Sequence, residues 1–142
     1  MRVLVVNGVN LNILGRRDPE MYGGLTMSEL EGRIYEWGRQ MELTVQCRQT
    51  NHEGEFIHWC HDAFETVDGV VVNPGAWTHY AWSIRDALEP LTVPVVEVHL
   101  SNVDEREEWR RVSVIKDVVA ARFVGHGPDG YRMALEYLKE NA

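Results

Sequence analysis

The chain has 142 residues, of which 44% are hydrophobic and 25% are charged, a composition typical of one globular domain with its own core. Its formal net charge of −8, without any block of basic residues, disfavours nucleic acid and anionic membrane as partners. No apolar run approaches the ~20 residues of a membrane span, and "VLVV" (3–6) is too short for a signal peptide, so we expect one cytoplasmic domain covering 1–142.

Short valine-rich runs alternate with helical patterns along the whole chain. The predicted strands are 2–7, 43–49, 69–73, 93–100 and 118–125, and the predicted helices are 27–41, 54–65, 79–89 and 130–140. In the first helix Leu30, Ile34 and Trp37 recur at the spacing of one buried face. The run "GVVVN" (69–73) is apolar throughout, as expected of a strand covered on both faces. The alternation predicts an α/β fold, a flavodoxin-like open parallel five-stranded sheet with helices on both faces.

The cysteines and histidines do not form a metal-binding pattern. Cys47 and Cys60 lie in apolar segments and are predicted to be buried, reduced thiols. His58 and His61 share a predicted helix but have no carboxylate at the spacing of metal ligands, so we expect them at the surface. The sequence therefore predicts no metal site.

Polar side chains follow four of the predicted strands, at the point where each strand ends. They are Asn7, Asn10, Asn12, Arg17 and Tyr22 after the first strand, and "TNHEGE" (50–55), "NPGAWTH" (73–79) and "HLSN" (99–102) after the next three. Because ligands of open parallel sheets bind beyond the carboxyl ends of the strands, these segments predict one shared site. A tyrosine held near arginines is a candidate acid or base there, since cations favour its anionic form.

The same segments disfavour several common uses of this fold. There is no G-x-G-x-x-G and no P-loop, which argues against dinucleotides and nucleoside triphosphates. Carboxamides follow the first strand in place of the hydroxyl groups of a flavin-phosphate loop, and Asn7 and Asn73 stand where a phospho-receiver domain would carry acids. None of the four segments contains a lysine, so a Schiff base has no support, and no serine–histidine–acid set is present there. Acid–base chemistry on a small polar molecule fits best.

Six motifs follow one another in order along nearly the whole chain: "NGVNLNILGRRDPEMYG", "QTNHEGE", "NPGAWTH", "RDAL", "VVEVHLSN" and "REEWRRVS". Together they closely resemble the motifs of type II 3-dehydroquinate dehydratase. The resemblance implies a flavodoxin-like domain that assembles as a homododecamer, a tetramer of trimers, and uses neither metal nor cofactor. It implies anti elimination of water from 3-dehydroquinate, through an enolate, to give 3-dehydroshikimate. The reaction would serve the shikimate pathway and aromatic amino acid biosynthesis, or quinate catabolism.

The resemblance also implies four catalytic residues, and the spacing along the strand adds Glu97. Tyr22 matches the base that takes a proton from the carbon beside the ketone, and Arg17 matches the essential arginine that stabilises the transition state. His99 matches the general acid that protonates the departing hydroxyl. Asn12 resembles the residue that helps to hold a water near the enolate oxygen. Glu97, two residues before His99 on the strand, is expected to orient or charge the imidazole.

The base requires a cationic environment. A free phenol has a pKa of about 10, so a tyrosine that works near neutrality needs a shift of roughly 2 to 3 units. One neighbouring arginine supplies about 1–3 units, and Arg17 together with the adjacent Arg16 is predicted to meet the demand. Gly15, Gly23 and Gly24 bracket this segment and permit unusual backbone angles, which predicts a mobile lid over the substrate.

The remaining matches are substrate-binding residues. By resemblance they are Asn73, His79, Leu100, Ser101 and Arg110, together with Asp86, which a neighbouring subunit of the trimer would deliver. Arg106 is assigned instead to an ion-pair network beneath the site. Asn51 is predicted to cap the helix that follows it, with His52 and Glu53 supporting the turn.

Five positions depart from the family pattern. Val9 stands where proline is common, Trp77 where a smaller residue is usual, Trp109 where phenylalanine is frequent, and Arg111 and Val112 replace a common histidine pair. These changes lie beside the predicted ligands and bear on affinity and subunit contacts more than on the type of reaction.

Two other classes of function stay open. A divergent lyase of the same fold could act on a different hydroxy-ketone. A non-enzymatic assembly or ligand-binding protein could retain the scaffold, although it would have little reason to keep Tyr22, Arg17 and His99 together.

Overall fold

Five parallel strands form the central sheet of the computed structural model, which describes residues 1–22 and 24–141. They are β1 (Arg2–Asn7), β2 (Thr44–Gln49), β3 (Gly69–Asn73), β4 (Val95–His99) and β5 (Ala121–Val124). The strands lie in the order β2-β1-β3-β4-β5, and each neighbouring pair is parallel. This is the flavodoxin-like order, so the predicted fold is confirmed. Gly23, which belongs to the predicted lid, and Ala142 lie outside the described residues.

Helices connect the strands and cover both faces of the sheet. They are α1 (Pro19–Tyr22), α2 (Met27–Gln40), α3 (Glu53–Thr66), α4 (Trp82–Leu88) and α5 (Asp129–Asn141). Short 3-10 helices occupy Leu11–Arg16, Gly75–His79, Val103–Glu105, Glu108–Arg111 and Lys116–Val118. Within residues 1–22 and 24–141, none of the helices has the length and apolar composition needed to cross a membrane.

Three predicted elements are shorter in the structure by more than one residue, and one of them is the strand predicted at 118–125, which spans only Ala121–Val124. The helix predicted at 79–89 begins at Trp82, because Gly75–His79 forms a separate 3-10 helix before it. The strand predicted at 93–100 begins at Val95, after Pro94, which has no N–H to donate to a neighbouring strand.

Both faces of the sheet are buried, because side chains alternate along each strand. Val3 and Val5 pack on the face covered by α2 and α5, while Leu4 and Val6 pack on the face covered by α3 and α4. Every residue of β3 is buried, as its continuous apolar run predicts. The helical prediction also holds, since Leu30 and Ile34 are fully buried and Trp37 packs beside them.

The predictions that both thiols are free, that Cys60 is buried and that His58 and His61 are exposed are confirmed, whereas Cys47 is less buried than predicted. Cys60 is buried, Cys47 is half-buried, and both are free thiols. Burial raises the pKa of each thiol to about 12, which keeps both protonated and unreactive. His58 and His61 are exposed on α3.

From β1 the chain adds β2 on one side of the sheet and then β3 on the other, so the strand order reverses between β1 and β3. The loops that follow these two strands contact each other there through their backbones. The Gly8 N–H donates to the Asn73 carbonyl at 2.8 Å. A Cβ on Gly8 would lie 2.4 Å from the Pro74 carbonyl oxygen, and one on Gly75, whose φ is +64°, would lie 2.7 Å from that of Val9. Glycine is therefore required at both positions, and the two loops form one rigid edge.

Beneath this edge, the fully buried Tyr131 of α5 links the ends of β1 and β3. Its hydroxyl donates to Asn7 Oδ1 at 2.5 Å and accepts from Asn73 Nδ2 at 2.8 Å. Burial raises the pKa of Tyr131, so the hydroxyl keeps the proton that it donates. These two hydrogen bonds hold the buried carboxamides of Asn7 and Asn73 at the ends of β1 and β3.

We expect Tyr131→Phe to lower the free energy of unfolding by about 1–3 kcal/mol, because the ring is kept while Asn7 and Asn73 lose a buried partner. Denaturant unfolding measures the change. Tyr137→Phe is the matched control, since that hydroxyl makes only a 3.4 Å contact with the Ala120 carbonyl near the surface. A surface change of this kind costs less than about 0.5 kcal/mol, so equal losses in the two variants would contradict the assignment.

Candidate active site

A pocket of about 100 Å³ lies at the carboxyl ends of β1, β3 and β4. Of the predicted catalytic residues, those that line it are Arg17, Tyr22 and His99. Of the predicted binding residues, those that line it are Asn73, His79, Leu100, Ser101 and Arg110. The volume is below the roughly 300 Å³ at which drug-sized ligands begin, so the pocket suits a small molecule.

Tyr22 lies between two guanidinium groups. Arg17 Nη2 donates to the phenol Oη at 2.5 Å, and Arg106 Nη1 donates to the same oxygen at 2.7 Å. The Arg17 guanidinium carbon also lies 3.9 Å from the centre of the Tyr22 ring. Tyr22 is only 8% exposed, so water screens these charges weakly. Two charged donors therefore converge on one phenol oxygen of the pocket.

Two sequence assignments of arginines are corrected here. Arg106, assigned to an ion-pair network beneath the site, lines the pocket and contacts Tyr22 directly. Arg16, predicted as the second cation, is exposed beside Asn12 and Thr26 and does not line the pocket. Arg106 is 84 residues from Tyr22 in the chain, so local sequence cannot show their contact. The motif "REEWRRVS", which begins with Arg106, was the available signal.

His99 is held from below by Glu97, as predicted from their spacing on β4. His99 Nε2 lies 2.6 Å from Glu97 Oε2, and this leaves Nδ1 as the ring nitrogen that can face the pocket. Glu97 is fully buried and accepts three further side-chain donors: Thr78 Oγ1 at 2.7 Å, Arg122 Nε at 2.8 Å and Ser113 Oγ at 3.0 Å. The carboxylate is thus fixed in position by four different segments of the chain.

These contacts keep Glu97 ionised. Burial acts to raise the pKa of Glu97, but the hydrogen bond and charge of His99, the charge of Arg122 and the hydrogen bond from Thr78 outweigh it. Together they lower the pKa to about 2. At any physiological pH the imidazole therefore faces a carboxylate that can only accept hydrogen bonds.

His79 lines the pocket and stacks beside His99, with 6.3 Å between the ring centres. Its Nδ1 lies 2.6 Å from the Val112 carbonyl, which can only accept, so Nδ1 carries a hydrogen. Burial lowers the pKa of His79, with the charges of His99 and Arg110 acting in the same direction. The neutral imidazole is therefore favoured, as suits a residue that binds rather than transfers a proton.

The remaining pocket residues offer neutral hydrogen-bonding groups and one further cation. Asn73 is nearly fully buried, and its Oδ1 accepts from the Gly75 N–H at 3.1 Å. Ser101 is buried at the pocket wall, where its hydroxyl accepts from Arg106 at 3.3 Å. Arg110 is paired with the exposed Glu107 and places a guanidinium at the pocket. A carboxylate and hydroxyl groups on one ligand would find partners here.

Two predicted site residues lie outside the pocket. Asn12 is exposed, and its Oδ1 accepts from Asn51 Nδ2 at 3.0 Å. Asp86 is exposed on α4 and does not reach the pocket of its own chain. The predicted entry of Asp86 into a neighbouring subunit's site stays a prediction, as does the predicted water contact of Asn12.

Asn51 does not cap α3, so that prediction is wrong. The N-terminal residue of α3 is preceded by His52, whose side chain makes no capping bond. Asn51 Oδ1 instead accepts from the Asn10 N–H at 2.8 Å, while its Nδ2 reaches Asn12. The side chain ties the loop after β2 to the loop after β1, which is still a supporting role for the site.

The positions that depart from the family pattern fall into different environments. Trp77 is buried in the core, with its ring centre 5.7 Å from that of Phe56, and does not line the pocket. Trp109 is half exposed and lies edge-on to His79 at 5.2 Å between ring centres. Val9 lines the pocket, whereas Arg111 and Val112 are exposed.

Within residues 1–22 and 24–141, no three His, Cys, Asp or Glu side chains gather closely enough to hold a metal ion.

Comparisons with known proteins point to one family. The model of the family described as dehydroquinase class II matches residues 1–139. The chain is 49% identical over 139 residues to the 3-dehydroquinate dehydratase of Deinococcus radiodurans, covering 97% of each chain. It is 50% identical over 140 residues to that of Thermotoga petrophila, covering 99% of this chain and 96% of the relative. The solved type II dehydroquinase of Propionibacterium acnes matches with a TM-score of 0.95 and 44% identity, covering 99% of this chain and 97% of that one.

The buried carboxylate predicts a specific loss of stability in acid. Because the folded-state pKa of Glu97 lies below its ordinary value, its contribution is present above that value, near 4.5, and is lost as the pH falls toward about 2. We expect the unfolding free energy of the wild type to fall more steeply than that of Glu97→Gln over this interval, as measured by denaturant titration at several pH values. Glu36→Gln, which alters an exposed pair with Arg39, should follow the wild-type slope. Parallel curves for the wild type and Glu97→Gln would contradict this account.

Proposed function

This chain belongs to the class II dehydroquinase family and is a hydro-lyase, and we propose that it removes water from 3-dehydroquinate to give 3-dehydroshikimate. The observation that carries the proposal is the Tyr22 oxygen, which two guanidinium groups hold at 2.5 and 2.7 Å inside a small pocket. His99, which is hydrogen-bonded to Glu97, lines the same pocket.

The proposed reaction begins at Tyr22. Its phenolate removes a proton from the carbon beside the substrate ketone, and the electron pair moves onto the ketone oxygen to form an enolate. Arg17 and Arg106 stabilise the phenolate before transfer and hold the neutral phenol afterwards. An ordinary phenol is largely protonated at neutral pH. In the proposed mechanism, two charged donors on one weakly screened oxygen stabilise the phenolate that acts as the base.

The second step uses His99. As the enolate electron pair returns to form the carbon–carbon double bond, the bond to the leaving hydroxyl breaks, and His99 donates the proton that makes it water. Glu97 stabilises the charged imidazolium before this transfer, because its carboxylate stays ionised at 2.6 Å. The base and the acid are separate groups on the pocket wall, which suits departure of the proton and the hydroxyl from opposite faces, an anti elimination.

Binding is assigned to the other pocket residues. Arg110 and the Leu100–Ser101 segment would hold the substrate carboxylate, and Asn73 and His79 would hold its hydroxyl groups. Asn12 would reach the water near the enolate oxygen only after the loop rearranges, since it is exposed in the structure. We assign no metal ion and no cofactor to the reaction, because protein side chains can supply the base, the acid and the charge stabilisation.

The segment that carries Arg17 and Tyr22 is proposed to act as a lid. The segment lies between β1 and α2 and consists of the 3-10 helix Leu11–Arg16 and the four residues of α1. Arg17 and Arg106 both donate to the Tyr22 hydroxyl at its end. Closing it over the substrate excludes water and strengthens the interaction between the arginines and the phenolate.

Assembly as a dodecamer, a tetramer of trimers, is part of the proposal. Asp86 on α4 is exposed, and large exposed apolar side chains lie nearby in the sequence and beside the pocket, namely Tyr80, Trp82 and Trp109. Exposed apolar groups of this kind mark contact surfaces. In such a trimer Asp86 would complete the active site of the adjacent subunit. We place the enzyme in the cytoplasm, in the shikimate pathway or in quinate catabolism, which growth of a deletion strain on quinate distinguishes.

We expect Tyr22→Phe to reduce turnover of 3-dehydroquinate by at least about 10²-fold, because the variant keeps the ring and loses the base. Absorbance of the conjugated product measures turnover, and the melting temperature reports whether the fold is kept. Tyr137→Phe is the control, since its hydroxyl is remote from the pocket.

Activity of the folded Tyr22→Phe variant would overturn the assignment of the base. Wild-type turnover should be unaffected by a chelator and by borohydride. Inactivation by borohydride in the presence of substrate would indicate an imine and contradict the mechanism. A wild-type protein without turnover would favour a lyase for another hydroxy-ketone, or a non-enzymatic ligand-binding or assembly protein.

The shared site predicts complementation between subunits. Asp86→Asn and Tyr22→Phe chains, dissociated and reassembled together, should recover activity, because some sites then combine an intact Tyr22 with an intact Asp86 of the adjacent chain. The control mixture is Tyr22→Phe with His99→Gln. Both residues belong to the pocket of a single chain, so every pocket in this mixture lacks either Tyr22 or His99. Sedimentation establishes that both mixtures reassemble. No greater recovery in the first mixture than in the control would contradict the role of Asp86.

A further inference from the structure

The negative charge of Glu97 is balanced from two sides. His99 contacts Oε2 at 2.6 Å, and the Arg122 Nε donates to Oε1 at 2.8 Å. The two other donors, Thr78 and Ser113, are neutral hydroxyl groups. The buried carboxylate therefore shares its charge between the predicted general acid and an arginine to which the mechanism above assigns no role.

Arg122 reaches Glu97 through the geometry of the sheet. It is the direct register partner of Glu97 on the neighbouring strand β5, so the two side chains point to the same face. The next residue, Phe123, packs on the opposite face against the core formed with α5. The Arg122 side chain is 24% exposed, whereas that of Glu97 is fully buried. Arg122 thus connects the edge of the sheet with the base of the pocket.

We propose that Arg122 is a positioning residue for the elimination, which acts through Glu97 to orient His99 and to set how readily His99 releases its proton. This inference rests on the proposed function. Arg122 does not line the pocket, so its influence on the substrate is indirect.

The positioning effect follows from the two carboxylate oxygens. Arg122 and Ser113 hold Oε1, which fixes the rotation of the carboxylate and therefore the direction in which Oε2 meets His99. Without the Arg122 bond the carboxylate would keep its neutral donors but lose its only contact with a permanent cation. An acid must be aligned with its leaving group, so a rotated imidazole transfers its proton less efficiently.

The electrostatic effect has a definite sign. A permanent positive charge on the far side of Glu97 opposes a second positive charge on His99, so Arg122 promotes release of the proton. The other charges around His99 are the stacked His79, which is favoured in its neutral form, and the pocket arginines Arg110, Arg106 and Arg17. Removal of Arg122 leaves these unchanged and leaves Glu97 to attract the proton of His99 more strongly.

The test compares Arg122→Gln, which keeps hydrogen-bond donors without the charge, with Arg122→Lys, which keeps the charge. In the glutamine variant we expect kcat to fall about tenfold, with KM nearly unchanged, because one part of general-acid catalysis is lost. We expect the alkaline limb of the kcat–pH profile to move to higher pH by about one unit, because the acid holds its proton more tightly. The lysine variant should restore the position of that limb.

Arg132→Gln is the matched control, because Arg132 also pairs with carboxylates, Asp129 and Glu136, but on the surface of α5. It should leave both kcat and the pH limb as in the wild type. If the glutamine variant does not fold, as judged by its melting temperature, Arg122→Met replaces it with the same expected shift. A loss of kcat without movement of the limb, or an equal movement in the lysine variant, would overturn the proposal, as would wild-type behaviour in every variant.

A measurement without substrate separates this inference from the proposed function. Proton and carbon NMR of the imidazole of His99, assigned with His99→Gln, follows its titration in the wild type and in Arg122→Gln. The charge coupling predicts that His99 titrates at higher pH in the variant, whether or not 3-dehydroquinate is turned over. If the variant shows this shift and the wild-type protein has no turnover, the proposed function alone is refuted. Identical titration curves would refute the role of Arg122.

Discussion

The buried carboxylate of Glu97 is the interaction on which the active edge of this protein depends. A charge without water is unfavourable unless it is paired and hydrogen-bonded, and Glu97 is fully buried with donors from four separate segments of the chain. Thr78 before α4, Arg122 on β5 and Ser113 after Arg110 must therefore all lie close to β4. One requirement for charge compensation thus fixes both the packing of these segments and the direction of His99.

The same edge is rigid on its other side for a different reason. The loops after β1 and β3 meet through backbone atoms at Gly8 and Gly75, where no side chain fits, and Tyr131 links the strand ends below them. The pocket lies where the direction of sheet growth reverses, so the connections leave an opening at the carboxyl ends of the strands. His99 lies at the end of β4 on this rigid frame, whereas Tyr22 lies on the short segment between β1 and α2.

The two proposed catalytic groups, Tyr22 and His99, lie in opposite electrostatic environments within one small pocket. Tyr22 is surrounded by positive charge from Arg17 and Arg106, and His99 is backed by the negative charge of Glu97. The proposed reaction would use this contrast, because cations stabilise a phenolate and a carboxylate stabilises an imidazolium. The two groups therefore differ in their surroundings, with Arg17 supplied from five residues away and Arg106 from a distant part of the chain.

Much of this could be predicted from the sequence, because periodicity and motif order are local properties. The valine runs and helical spacings gave the parallel sheet, and six ordered motifs gave the family, both of which are confirmed. The contact between Glu97 and His99 followed from the two-residue period of a strand. The sequence could not show which arginine contacts Tyr22, since Arg16 is adjacent to Arg17 in the chain but does not line the pocket.

The sequence alone therefore determined the fold, the family and the residues at the carboxyl ends of the strands, because each is encoded in spacing along one segment. Only the tertiary structure decided that Arg106 contacts Tyr22, that Asn51 joins two loops instead of capping α3, and that Arg122 meets Glu97. Those pairings depend on how separate segments are brought together by burial and by the register of neighbouring strands. No pattern within a single segment carries that information.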